Sequence, residues 1–80
     1  MSWNYRVLRY ETVNDEPFYG IHEVYYDGTT PSGHTVKEAR VGGESLDEIR
    51  DILKMMGEAL NKPILDFKPE SGYREVENES

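Results

Sequence analysis

The sequence has no cysteine among its 80 residues, which excludes both a disulfide framework and a thiolate metal site. It is short of basic residues, with nine Lys and Arg against 16 Asp and Glu and a formal charge of −7. That balance favours solubility and opposes contact with a phosphate backbone. Long apolar runs are missing as well. No stretch approaches the ~20 apolar residues of a membrane-spanning helix, and no basic start leads into an apolar run as a secretory signal would. The expectation is a soluble, cytoplasmic protein with no membrane partner. At this length the chain has room for one domain.

What the chain does have is aromatic side chains. Six Tyr, two Phe and one Trp crowd into its first 26 positions, apart from Phe67 and Tyr73. Large rings supply much buried area from few residues, which suits a small core. Trp3 to Tyr10 is rich in aromatic and β-branched residues and reads as a strand. Alternation places Trp3, Tyr5 and Val7 on one face, with Arg6, Leu8 and Tyr10 on the other. Turn formers from Val13 to Pro17 close a hairpin onto a second strand, Phe18 to Tyr26. Asp27 to Gly33 reads as a loop, and His34 to Val41 as a third strand whose Lys37, Glu38 and Arg40 suit a sheet edge.

One helix follows. Ser45 stands three residues before Glu48, the capping-box spacing, and Asp47 and Glu48 sit in the first turn, where the helix dipole favours negative charge. Leu46, Ile49, Ile52, Leu53, Met56 and Leu60 recur at steps of three and four, so they form one apolar stripe. Pro63 stops the helix. Ile64-Leu65-Asp66-Phe67 is a candidate short fourth strand. The predicted fold is α+β, a three-stranded antiparallel sheet in the order β-β-β-α with the helix on one face, packed on the Val7/Val24 region. The domain is expected to span residues 1–68. From residue 69 to 80 the chain carries four Glu against Arg74 alone and little to bury, and it reads as a disordered acidic tail.

Catalytic chemistry finds little support in this pattern. The Ser residues are terminal, in loops or engaged in capping, and a nucleophile needs a base within hydrogen-bond reach. Gly42-Gly43 precedes a helix, but Glu44, Asp47 and Glu48 around it would repel a phosphate, and no nucleotide-binding fingerprint is present. His22, Glu23 and His34 are the set that could bind a metal or small ligand if strands two and three pair. Their spacing matches no compact ligand motif. A sheet with Tyr and Arg could stack single-stranded nucleic acid, but the basic residues fall on opposite faces and form no stripe. No cofactor and no metal are expected.

The surplus of aromatics is what remains. A single helix covers one face of a sheet, and exposed aromatic patches commonly mark interaction sites. The sequence therefore favours a non-enzymatic protein-interaction module, binding a protein partner or a second copy as a homodimer. Tyr5, Tyr19, Tyr25 and Tyr26 are its expected contact residues, with Arg6 at the rim. The alternatives are a small metal- or ligand-binding enzyme using His22, Glu23 and His34, and single-strand nucleic-acid binding.

Two resemblances accompany these motifs. The segments Trp3-Asn4-Tyr5-Arg6-Val7 and Ile21-His22-Glu23-Val24-Tyr25-Tyr26-Asp27 resemble a family of small bacterial proteins of unknown function. In that family an aromatic hairpin precedes a Gly-Glu-Ser-Leu-Asp-Glu type of helix start, here Gly43-Glu44-Ser45-Leu46-Asp47-Glu48. The similarity covers about residues 3 to 67 and implies no activity. The order hairpin, third strand, capped helix is also similar to the partial RNase H-like domain of HicB-type antitoxins, though this chain lacks the DNA-binding segment many of them add. That second likeness implies a topology.

Overall fold

A computed structural model describes residues 2–76. The elements run β1 (Ser2–Glu11), β2 (Pro17–Asp27), β3 (Thr30–His34), α1 (Leu46–Ala59), β4 (Ile64–Lys68) and β5 (Gly72–Val76). The five strands form one mixed sheet in the order β3-β2-β1-β4-β5. β1 and β2 make the long hairpin read from the sequence, in register from Ser2↔Tyr26 to Glu11↔Pro17. Its turn is held by the Thr12 and Glu16 backbones at 2.9 Å, and Asp15 takes a positive φ of 60°.

β3 starts earlier than expected. Asp27 pairs directly with Thr30, so the predicted loop shrinks to Gly28 and Thr29. Gly28 has φ +65°, the sign glycine supplies at the first central position of a tight hairpin turn. Ser32 is then left over as a bulge, because Tyr25 pairs with Gly33 and Tyr26 with Pro31. Residues 35–41, predicted as the third strand, are irregular. They stay attached to β2 through Thr35 N–H to Glu23 O (3.0 Å) and Ala39 N–H to Ile21 O (2.8 Å).

The predicted three-stranded antiparallel sheet understates the fold. The candidate fourth strand is real, but β4 lies parallel to β1 at Leu8↔Leu65 and Arg9↔Asp66. Parallel neighbours need a crossover, and α1 supplies it by carrying the chain back to the free edge of β1. The expected tail is corrected in the same way. Pro69-Glu70-Ser71 forms a turn closed by Ser71 N–H to the Lys68 carbonyl (3.1 Å). Gly72, at φ +80°, opens β5, which pairs with all of β4. Residues 77–80, the rest of that expected tail, lie outside the described residues.

The sheet curls, and its inner face holds a core of Leu8, Val24 and Leu65, all fully buried, with Tyr10, Tyr26 and Tyr73 packed against it. Burying each of these aliphatic side chains contributes about 1.5–3 kcal/mol. The helix takes the other face. No α1 residue joins the Leu8 cluster, α1 packs against β1, and Val7, on the side of β1 opposite Leu8, is buried together with Met56 and Ala59. Val7 thus sits under the helix as predicted, whereas Val24 faces away from it. The helix starts as read: the Ser45 hydroxyl accepts from Glu48 N–H at 3.2 Å, and the Glu48 carboxylate accepts from the Glu44 N–H. Its apolar stripe is only partly covered, with Leu46 69% and Leu53 54% exposed. No helix among the described residues is long and apolar enough to cross a membrane.

Candidate functional site

Two places combine exposed surface with unusual side chains, one on each face of the sheet. The outer one follows from alternation. Trp3 and Tyr5 project from the same side of β1, and Tyr25 is the cross-strand partner of Trp3. The Trp3 and Tyr5 rings meet edge to face, with centroids 5.3 Å apart. The Tyr25 hydroxyl donates to Glu23 at 3.4 Å, and Glu23 stands opposite Tyr5. Despite these contacts Trp3 remains 46% exposed. The result is an aromatic patch with one carboxylate in it, beyond the part of β1 where Val7 is buried.

The five residues expected at an interface do not form one patch. Tyr5 and Tyr25 belong to this one. Tyr19 is on the same face but pairs with Arg9, six residues further along β1. Arg6 and Tyr26 face inward. The Arg6 guanidinium is buried, and donates to the Tyr26 hydroxyl (2.9 Å) and to the Pro63 carbonyl (2.7 Å). Tyr26 in turn donates to Asn4 Oδ1 at 2.8 Å. Arg6 is therefore not a rim residue; it ties the hairpin to the chain leaving the helix. Trp3 was absent from the expected set, although the alternation that puts it beside Tyr5 is visible in the sequence.

The inner place is a cleft of about 740 Å³ at one end of the sheet. Its origin is topological. β1 and β4 pair only at Leu8↔Leu65 and Arg9↔Asp66, yet the strands continue to Glu11 and Lys68. From β1 the chain turns one way into β2, and from β4 the opposite way into β5. The two strands therefore part at their carboxyl ends, the place where open sheets with such a switch in order bind ligands. Tyr10, His22, His34 and Phe67 line the cleft on the inner side.

The structure brings His22 and His34 together, their rings perpendicular with centroids 5.5 Å apart. His22 is 1% exposed. Its Nδ1 lies 2.9 Å from the Thr35 carbonyl oxygen, which only accepts, so Nδ1 carries the proton. In the neutral ring Nε2 is then a bare acceptor, and it is buried with no hydrogen-bond partner. Glycine at position 20 leaves it room. A Cβ there would lie 3.1 Å from His22 Nε2 and 2.9 Å from Glu38 Cγ. His34 Nδ1 shares a hydrogen bond of 2.6 Å with the Tyr73 hydroxyl. Burial, and then the charge of His22, hold the His34 pKa below its ordinary value, while burial pushes the Tyr73 hydroxyl up. The Tyr10 hydroxyl is also raised, by burial and by its hydrogen bond to Glu38.

Glu23, the third member of the predicted His22, Glu23, His34 set, is on the opposite face of β2 and cannot join the two imidazoles. Among the described residues no group of three or more His, Asp or Glu is placed to hold a metal ion. The basic residues of the nucleic-acid alternative are likewise engaged or separated. Arg6 is buried, and Arg9 is paired with Asp66 at 2.9 Å. Comparison with protein-family models, with curated proteins and with solved structures finds no match to this chain.

Proposed function

We propose that this chain is a non-enzymatic protein-interaction module that associates through the Trp3, Tyr5 and Tyr25 patch, with a second copy of itself as the partner. The observation that supports this reading is Trp3, a large aromatic left half exposed on a sheet face whose neighbouring positions are covered by α1. Aromatic side chains that are rigid and incompletely buried are enriched at the centres of protein contacts. The exposed Leu46 and Leu53 of α1 add apolar surface of the same kind.

The charge of −7 works against self-association, because each copy repels the other until salt screens the charges. A dimer held by the aromatic patch should therefore tighten as salt is raised. A basic partner would be released under the same conditions. Sedimentation velocity across a concentration series, at low and high salt, tests the reading. Concentration-dependent dimerisation that strengthens with salt and is lost in a Trp3→Ser, Tyr25→Ser double variant would support it. A monomer at every concentration and salt would overturn self-association.

A further inference from the structure

The start of β1 has a stretch of edge that no strand pairs. Thr12 N–H bonds the Glu16 carbonyl across the hairpin, whereas the Ile21 and Glu23 carbonyls of β2 point the other way, to Ala39 N–H and Thr35 N–H. Backbone groups alternate sides along a strand, and the hairpin register sets even-numbered residues of β1 against even-numbered residues of β2. The N–H and C=O groups of Asn4 and Arg6 therefore face β2, and those of Trp3 and Tyr5 face the β4 side. β4 fills that side only beside Leu8 and Arg9. Among the described residues no backbone group bonds Trp3 or Tyr5 from there, and Ser2 and Trp3 are exposed.

Free edges are commonly blunted by proline, bulges or charge. The two outer edges of this sheet are: β3 has Pro31 and the bulge at Ser32, and β5 carries Arg74 and Glu75. Ser2-Trp3-Asn4-Tyr5 has neither proline nor charge, and residues 2–10 include no acidic side chain in a chain of charge −7. Self-repulsion is therefore least at this edge. The segment also matches itself. Laid antiparallel to a second copy with Trp3 opposite Tyr5, it uses all of these free groups, each residue's N–H donating to the carbonyl of the other. Trp3 then lies beside Tyr5 of the second copy on the outer face, an aromatic cross-strand pair of the kind that stabilises sheets. On the inner face Asn4 meets Asn4. Its Oδ1 accepts from the Tyr26 hydroxyl at 2.8 Å, and its amide N–H groups are donors for the Oδ1 of the second copy.

We propose that two copies join edge to edge along residues 2–5 of β1, antiparallel about a twofold axis at Asn4, so that two sheets continue as one. This rests on the self-association read from the outer patch and specifies its construction. The backbone edge fixes the register, and the aromatic patches of the two copies become continuous across it.

The test is backbone amide hydrogen exchange on the full chain across the concentration range of the sedimentation series. The Trp3 and Tyr5 amides should become protected as the dimer forms, while the Asn4 and Arg6 amides, which β2 already holds, are slow throughout. In a mixture of isotope-labelled and unlabelled chains, an Asn4 Hα to Asn4 Hα contact between copies should appear. A synthetic chain with an N-methyl group on the Tyr5 amide keeps every side chain and the β1–β2 pairing. It should retain the wild-type urea midpoint of the monomer and dimerise at least about ten-fold more weakly. A dimer whose Trp3 and Tyr5 amides exchange freely, or one undiminished by the N-methyl group, would overturn the edge pairing and leave association through the patch standing. A monomer at every concentration would overturn both.

Discussion

The His34 imidazole on β3 and the Tyr73 hydroxyl on β5 meet at 2.6 Å, although these strands are the two opposite edges of the sheet and share no backbone pairing. The same pair is in edge-to-face ring contact at 5.6 Å, and Phe67 packs against both. The curl of the sheet is thus closed by side chains, in a chain with no disulfide to do so.

Removing only the hydrogen bond should loosen this closure modestly. Tyr73→Phe keeps the ring contacts and is expected to cost about 0.5–1.5 kcal/mol, read as a lower urea midpoint with an unchanged slope. Tyr73→Ala loses the ring contacts as well and should cost clearly more. Equal costs for the two variants would show that the ring contributes nothing.

The same closure should respond to pH. Burial keeps the native His34 pKa below its ordinary 6.5, so the charged ring is disfavoured in the folded state only. Well above that value both states are neutral and nothing is lost. As pH falls below it the unfolded chain takes up a proton that the native chain resists, and stability drops. The fall should stop once the pH has passed the native value. Glu38, held below its ordinary 4.5 by its own backbone N–H and by the Tyr10 hydroxyl, loses its contribution only at lower pH, so the two windows separate. Chemical denaturation at about pH 7.5 and 5.5 should show the loss in the wild type and a smaller one in His34→Gln. An equal loss in both would assign it to another group.

Arg6 should behave as a structural clamp. Arg6→Met fills the space but removes the charged donor of the Pro63 carbonyl and breaks the link to Tyr26. We expect a loss of about 2–3 kcal/mol in denaturant unfolding. Glu75, 3.9 Å from the guanidinium and largely exposed, should matter little, so Glu75→Gln is expected to be near neutral. A neutral Arg6→Met would show that the clamp adds no stability.

The core makes the sharpest demand. Leu8 and Leu65 are fully buried and are direct partners across the parallel pair. Each Leu→Ala change should cost about 2–5 kcal/mol, a large part of the stability of so small a domain. Because the two side chains share one cluster, the double variant should depart from additivity. Circular dichroism melts of the singles and the double would measure that coupling, and strict additivity would place the two residues in separate cores.

Local chemistry was legible in the sequence wherever neighbours along the chain decide the structure. The Ser45 cap with Glu48, the stop at Pro63 and the β1–β2 hairpin each depend on residues a few positions apart, and the structure has them all. So does the alternation that sends Trp3, Tyr5 and Val7 to one side of β1. The Pro69-Glu70-Ser71-Gly72 turn between two short apolar-alternating segments was equally present, but its excess of Glu read as a tail. What makes β5 a strand is Tyr73, which finds Phe67 and His34 only after the sheet has curled.

Sequence alone therefore determined the β1–β2 hairpin, the capped helix and the face each β1 side chain takes, because backbone propensity and side-chain periodicity act over short range. Tertiary structure decided the rest. The placement of β4 parallel to β1 depends on a crossover that returns 57 positions later, at Leu8↔Leu65. No local pattern encodes which free edge that strand will take. From that choice follow the parting of β1 and β4 and the cleft whose wall holds the two imidazoles. Burial of Arg6 follows from the curl, whereas alternation along β2 is what separates Glu23 from His22. A sheet's two faces become inside and outside only when it closes.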